Sequence, residues 1–118
     1  TFLIAWNDTV EAVRAVASAA PFLAIANRVR LLCLDEGEES DGTASGMADY
    51  LTRAGYPVEI ERASLEGRAV GEALLAATGK ADLLVMGAYG RWRWREWIFG
   101  GATLHVLRNT HVAVLMSH

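Results

Sequence analysis

Apolar residues come in short blocks, each followed by a stretch of helical period. Phe2 to Trp6, Val29 to Leu34, Val58 to Ile60, Asp82 to Met86 and Val112 to Met116 read as strands. The fourth block, "DLLVM", is apolar after its first residue, which suits burial on both faces of a sheet. Between blocks one and two an alanine-rich helix is predicted from about Val10 to Ile25. Asp8 and Glu11 there have the spacing of a capping box. Pro21 lies inside this helix and removes one donor, so a kink or break is expected near Ala20. Met47 to Ala54 reads as a short helix ended by Gly55, a natural left-handed stop. Arg68 to Thr78 reads as a helix with Val70, Leu74 and Leu75 on its apolar face, closed by Gly79. Ala102 to Arg108 is the last helix.

Strands and helices therefore alternate, with one long loop before the last helix. Mostly apolar strands in this order predict a five-stranded parallel sheet, doubly wound, with helices on both faces of an α/β sandwich. Ligands of such folds bind beyond the carboxyl ends of the strands, where the winding reverses. That rule selects Trp6 to Thr9 after the first strand and Gly87 to Arg91 after the fourth.

Bulk composition narrows the class. A chain of 118 residues is one domain by size, residues 1–118, and 53% hydrophobic residues is ample for its core. A net charge of −3 argues against a dedicated nucleic-acid binder. Cys33 is the single cysteine, so no intrachain disulfide forms, and a cytoplasmic setting is the simplest expectation. No apolar run approaches the roughly 18 residues of a membrane span, and no signal peptide is visible. The start at Thr1 without a methionine points to a piece of a longer protein, such as the second half of a tandem. Residues 35–41 hold five acids but lack calcium-loop spacing, so a solvated loop is expected there and not a metal site.

The chemistry concentrates in "MGAYGRWRWREWIFGGAT", residues 86–103. Gly87 and Gly90 follow the fourth strand, where a missing Cβ lets a ligand approach the backbone. Gly100 and Gly101 precede the last helix, whose first amides carry the positive end of the helix dipole. Thr103 adds a hydroxyl in the first turn. Together these form a plausible phosphate cradle; the competing reading is that the glycines serve tight turns only. The pattern Gly87-x-x-Gly90, nine residues, Gly100 is neither the dinucleotide fingerprint nor a Walker loop.

It does resemble the signature of the universal stress protein family. "DLLVMGAYGR" resembles that family's fourth strand and loop, "REWIFGGATLHVL" its phosphate loop and helix, "HVAVLMSH" its last strand, and "LIAWNDT" its first strand and turn. The resemblance implies a stress-response regulatory module of the adenine-nucleotide alpha hydrolase-like fold, binding ATP or another adenine nucleotide with magnesium. By position, Trp6 and Asn7 would lie beside base and ribose, with Leu34 at the end of the second strand. Gly87, Gly90, Gly100, Gly101, Ala102 and Thr103 would surround ribose and phosphates. Arg91, next to Gly90, is placed to face a bound phosphate.

Three departures stand out. Asn7 replaces the family's usual aspartate, keeping an acceptor but losing the charge. Gly101 replaces a hydroxyl residue, so one phosphate or metal contact is lost. The frequent proline before the last strand is absent in "NTHVAV". No residue offers itself as a catalytic base, so slow ATP hydrolysis is the most that is expected. His105, His111 and His118 read as structural or solvated, and Cys33 as a buried thiol.

The string "RWRWREWIF" is not explained by the family pattern. It reads first as a loop capping the site, then as a protein-contact patch at Trp92 and Trp94, and last as a nucleic-acid or membrane surface. "VAVLM" at residues 112–116 is apolar enough to need cover. The resemblance implies a homodimer through this last strand, or pairing with a sister domain. A nucleotide-free dimerising interaction module is the alternative reading of the whole chain.

Overall fold

The computed structural model describes residues 1–7, 9–35, 41–65, 67–88 and 101–118. Its elements are β1 (Phe2–Trp6), α1 (Val10–Leu23), β2 (Val29–Asp35), α2 (Asp41–Arg53), β3 (Val58–Ser64), α3 (Val70–Ala77), β4 (Leu83–Gly87), α4 (Gly101–Asn109) and β5 (Ala113–Ser117). The five strands form one sheet in the order β3-β2-β1-β4-β5, and every pairing is parallel. The direction of winding reverses between β1 and β4, as the alternating pattern required.

Side-chain alternation along the strands builds two cores, one on each face. Ile4, Trp6, Leu31, Cys33 and Val85 pack with α1 and α2. Leu3, Leu32, Leu84 and Met86 pack with α3 and α4 through Leu74 and Val106. Both faces of β1 and β4 are thus sealed, which is why these strands read as unbroken apolar runs.

Helix boundaries moved for local reasons. The N-cap of α1 is Thr9, whose extended backbone leaves its hydroxyl to accept the Ala12 amide at 3.1 Å. This cap sits one residue beyond the predicted Asp8, which lies outside the described residues. Pro21 does not break α1, which runs through it and closes at Leu23 instead of Ile25. Pro21 falls in the last turn, and Pro21 and Ala17 are both exposed, so water can meet the Ala17 carbonyl that Pro21 cannot bond.

α2 begins at Asp41, well before the predicted Met47. Gly42, Ser45 and Gly46 hide it from a propensity reading, yet Ala44, Met47, Ala48 and Leu51 form a stripe of helical spacing against the core. Gly55 ends it as predicted, with φ +97. The Tyr56 amide donates to the Leu51 carbonyl at 3.0 Å and the Gly55 amide to that of Thr52 at 3.0 Å, a complete Schellman closure. Gly79, by contrast, does not close α3. A short 3₁₀ turn, Thr78–Lys80, follows, and the Thr78 hydroxyl donates to the Leu75 carbonyl at 2.7 Å. β3 continues past Ile60 to Ser64, and the other strand and helix ends lie within two residues of the predicted ones.

Candidate functional site

Parallel register brings the predicted residues to one edge. Trp6 stands beside Cys33, Ala5 beside Met86, and Gly87 beside Ser117, so β1, β2, β4 and β5 end together. The crossover from β4 to β5 runs through α4, which places the helix start at this same carboxyl edge. Gly90, Arg91, Trp92, Trp94 and Gly100 lie outside the described residues.

At the end of β1 the chain folds back on itself. Asn7 is exposed, and its Oδ1 accepts the Thr9 hydroxyl at 2.7 Å. The Thr9 Oγ1 in turn accepts the Ala12 amide at 3.1 Å. These linked bonds fix the side-chain amide with its oxygen toward the cap and its N–H donors pointing away from it. Asn7 therefore keeps neutral amide donors at the end of β1 where an aspartate would carry charge. Thr9 falls within the stretch selected after the first strand, and a hydroxyl two residues past Asn7 and three before Ala12 is the signal for this turn.

Gly87 has a packing reason for lacking a side chain. A Cβ there would sit 2.8 Å from the Ala12 nitrogen and 2.8 Å from the Glu11 carbonyl carbon. The first turn of α1 thus rests on the end of β4, and Glu11 is buried in that contact. The glycine admits a helix backbone at this point, beside whatever else approaches the edge.

Trp6 is 7% exposed and belongs to the core between the sheet and α1 and α2. Leu34 is half-buried on the opposite face, against the core of α3 and α4. These two stand at the ends of β1 and β2 on opposite faces of the sheet and form no common surface. Gly101 is exposed at the start of α4, Ala102 follows in the helix, and Thr103 is buried in its first turn. The backbone amides at the start of α4, with the helix dipole behind them, are donors of the kind that suits an anion. Among the described residues no three His, Cys, Asp or Glu side chains are grouped to hold a metal ion. Among them, too, no helix is long and apolar enough to cross a membrane. His105 packs into the contact between α3 and α4, where a Cβ on Gly71 would come within 2.8 Å of its own Cβ.

Comparison with known proteins fits this fold. The model of the universal stress protein family matches residues 7–118. The chain belongs to the universal stress protein family. This universal stress protein domain also superposes on a universal stress protein from Archaeoglobus fulgidus, with TM-score 0.78 and 20% identity over 98% of its length. It spans only 42% of that longer chain. Universal stress protein UspA from Lactobacillus plantarum gives TM-score 0.64 and 13% identity, covering 99% of this chain and 96% of the other. At such identities the likeness is one of fold. No curated protein matches the domain.

Proposed function

We propose that this domain is a cytoplasmic stress-response regulatory module that binds an adenine nucleotide at the carboxyl edge between β1 and β4. The observation that supports the reading is the start of α4, the helix that follows β4: an exposed glycine, then a buried threonine in the first helical turn. Gly101 and Ala102 amides with the Thr103 hydroxyl would hold phosphate, and the Asn7 amide would meet ribose or base. Magnesium would neutralise phosphate charge. Calorimetry with ATP, ADP and AMP plus magnesium tests it, and no heat at millimolar ligand removes it. Gly101→Ser restores a hydroxyl next to the helix start and should tighten binding by about tenfold, one good hydrogen bond.

A second reading, a nucleotide-free dimerising module, is favoured by β5. This edge strand carries no charge, and Val114, Leu115 and Met116 are only half-buried. An uncharged edge of this kind invites pairing with a second copy or a sister domain. Light scattering that finds a monomer at high concentration would remove it.

A further inference from the structure

We propose that self-association through β5 has a second layer, in which Phe22 of α1 packs against Phe22 of the other copy. The proposal rests on the dimerising reading and names the helix residue it requires. A strand of five residues paired with its mate is a small contact. Stable interfaces bury about 1,200 Å² or more in total, so the strand pair needs help from a neighbouring layer.

The fold says which layer and which residue. Identical edge strands pair antiparallel about a two-fold axis normal to the sheet, which keeps α1 of both copies on the same face. α1 packs over β4 and β5. One flank of it faces the β5 edge, because Arg14 Nη1 donates to the His118 carbonyl just past β5, at 3.2 Å. Phe22 lies a little over two turns further on, about 80° round the helix on the arc between that flank and the buried face, and is 46% exposed.

Its height along the strand matches the axis. Leu115 is the middle residue of β5 and lies three residues before His118, about 10 Å down the strand. At 1.5 Å per residue, α1 covers that distance in about seven positions from Arg14, which reaches Pro21 and Phe22. A residue level with the two-fold meets its own copy. The gap also demands a large side chain. The two β4 strands would lie three strand spacings apart, about 14 Å, whereas helices in direct contact sit about 8–10 Å apart. Two rings can close that difference, and face each other in an offset pair. Ile25, 79% exposed in the turn that closes α1, extends the same apolar flank; its amide donates to the Phe22 carbonyl at 3.1 Å. Val10 and Val13 are exposed on the side of α1 away from the sheet and take no part.

The test is a dilution series by sedimentation velocity on the purified chain, with Phe22→Ser, Tyr50→Ser and Ala113→Lys. Tyr50 is 64% exposed on α2 and serves as the control for lost surface area. Phe22→Ser should raise the dimer Kd at least tenfold with an unchanged thermal melt, while Tyr50→Ser stays within twofold. Separately, Phe22→Cys should cross-link to a dimer with a short bismaleimide, and Tyr50→Cys should not. If Ala113→Lys abolishes the dimer but Phe22→Ser leaves Kd within twofold and Phe22→Cys does not cross-link, the strands pair without the helices and this proposal is overturned alone. If the unmodified chain is monomeric at every concentration, the dimerising reading falls and takes this proposal with it.

Discussion

β3 and β5 each have a strand neighbour on one side only, yet they are made differently. β3 carries Glu59, Glu61 and Arg62 in seven residues, whereas the five residues of β5 carry no charge. The two β3 carboxylates are held from β2 and the residue before it: Arg28 donates to Glu59 at 2.7 Å, and Arg30 pairs with Glu61. A second chain docking along β3 would have to desolvate those carboxylates. Along β5 it would cover Val114, Leu115 and Met116, which are already half out of water. One guarded edge and one open edge allow a closed pair; two open edges would allow an endless sheet.

The contrast can be broken by moving the charges. Ala113→Lys puts a guard on β5 and should cost the dimer about 2–3 kcal/mol, on the order of a hundredfold in Kd. Sedimentation velocity would show it. Removing the guard from β3 with Glu59→Thr and Glu61→Thr should turn a discrete pair into larger, concentration-dependent assemblies. Light scattering that still reports a pair would mean that the β3 charges do not limit association. A smaller effect separates the two ion pairs of β3. Arg30 is 18% exposed and its partner 38%, so Arg30→Met should lower stability by about 1 kcal/mol in a denaturant melt. Arg28 and Glu59 are more than half exposed, and Arg28→Met should leave the melt unchanged.

The smallest effect is a pH dependence. The hydrogen bond from Arg28, with its charge, holds the Glu59 carboxyl below the ordinary range and raises the guanidinium in turn. A depressed carboxyl lends stability that is present above its unfolded value, about 4.3, and is lost as pH falls through the lower folded value. The protection of β3 amides, relative to their intrinsic exchange rates, should therefore fall below about pH 4 before that of β1 or β4 changes.

The central strands were legible because burial on both faces leaves a continuous apolar run. In the sequence β3 reads only to Ile60 because its outer half is polar, which is what an edge strand needs and what a hydrophobicity pattern reads as loop. α2 was truncated for the opposite reason: its glycines and serine lower propensity, while the packing of Ala44 and Leu51 overrides them. At the candidate site, position at the strand ends was legible for Trp6, Asn7, Leu34 and Gly87. Their surroundings were not. That Gly87 lies under the first turn of α1, and that Thr9 pins the Asn7 amide, depends on contacts between segments far apart in the chain or on a turn one residue off the expected cap.

The closeness of Gly71 to His105 sets a rule of exchange for sequence drift. The two positions share a fixed volume between α3 and α4, so growth at one must be met by loss at the other. A larger residue at 71 with His105 retained would lever α4 outward and carry Gly101 and Thr103 with it. Sequences descended from this one can thus vary freely along the outer face of α3, yet should trade bulk between these two positions in step. The alignment of the α4 start with the ends of β1 and β4 would then be inherited through a pair of residues outside the predicted site.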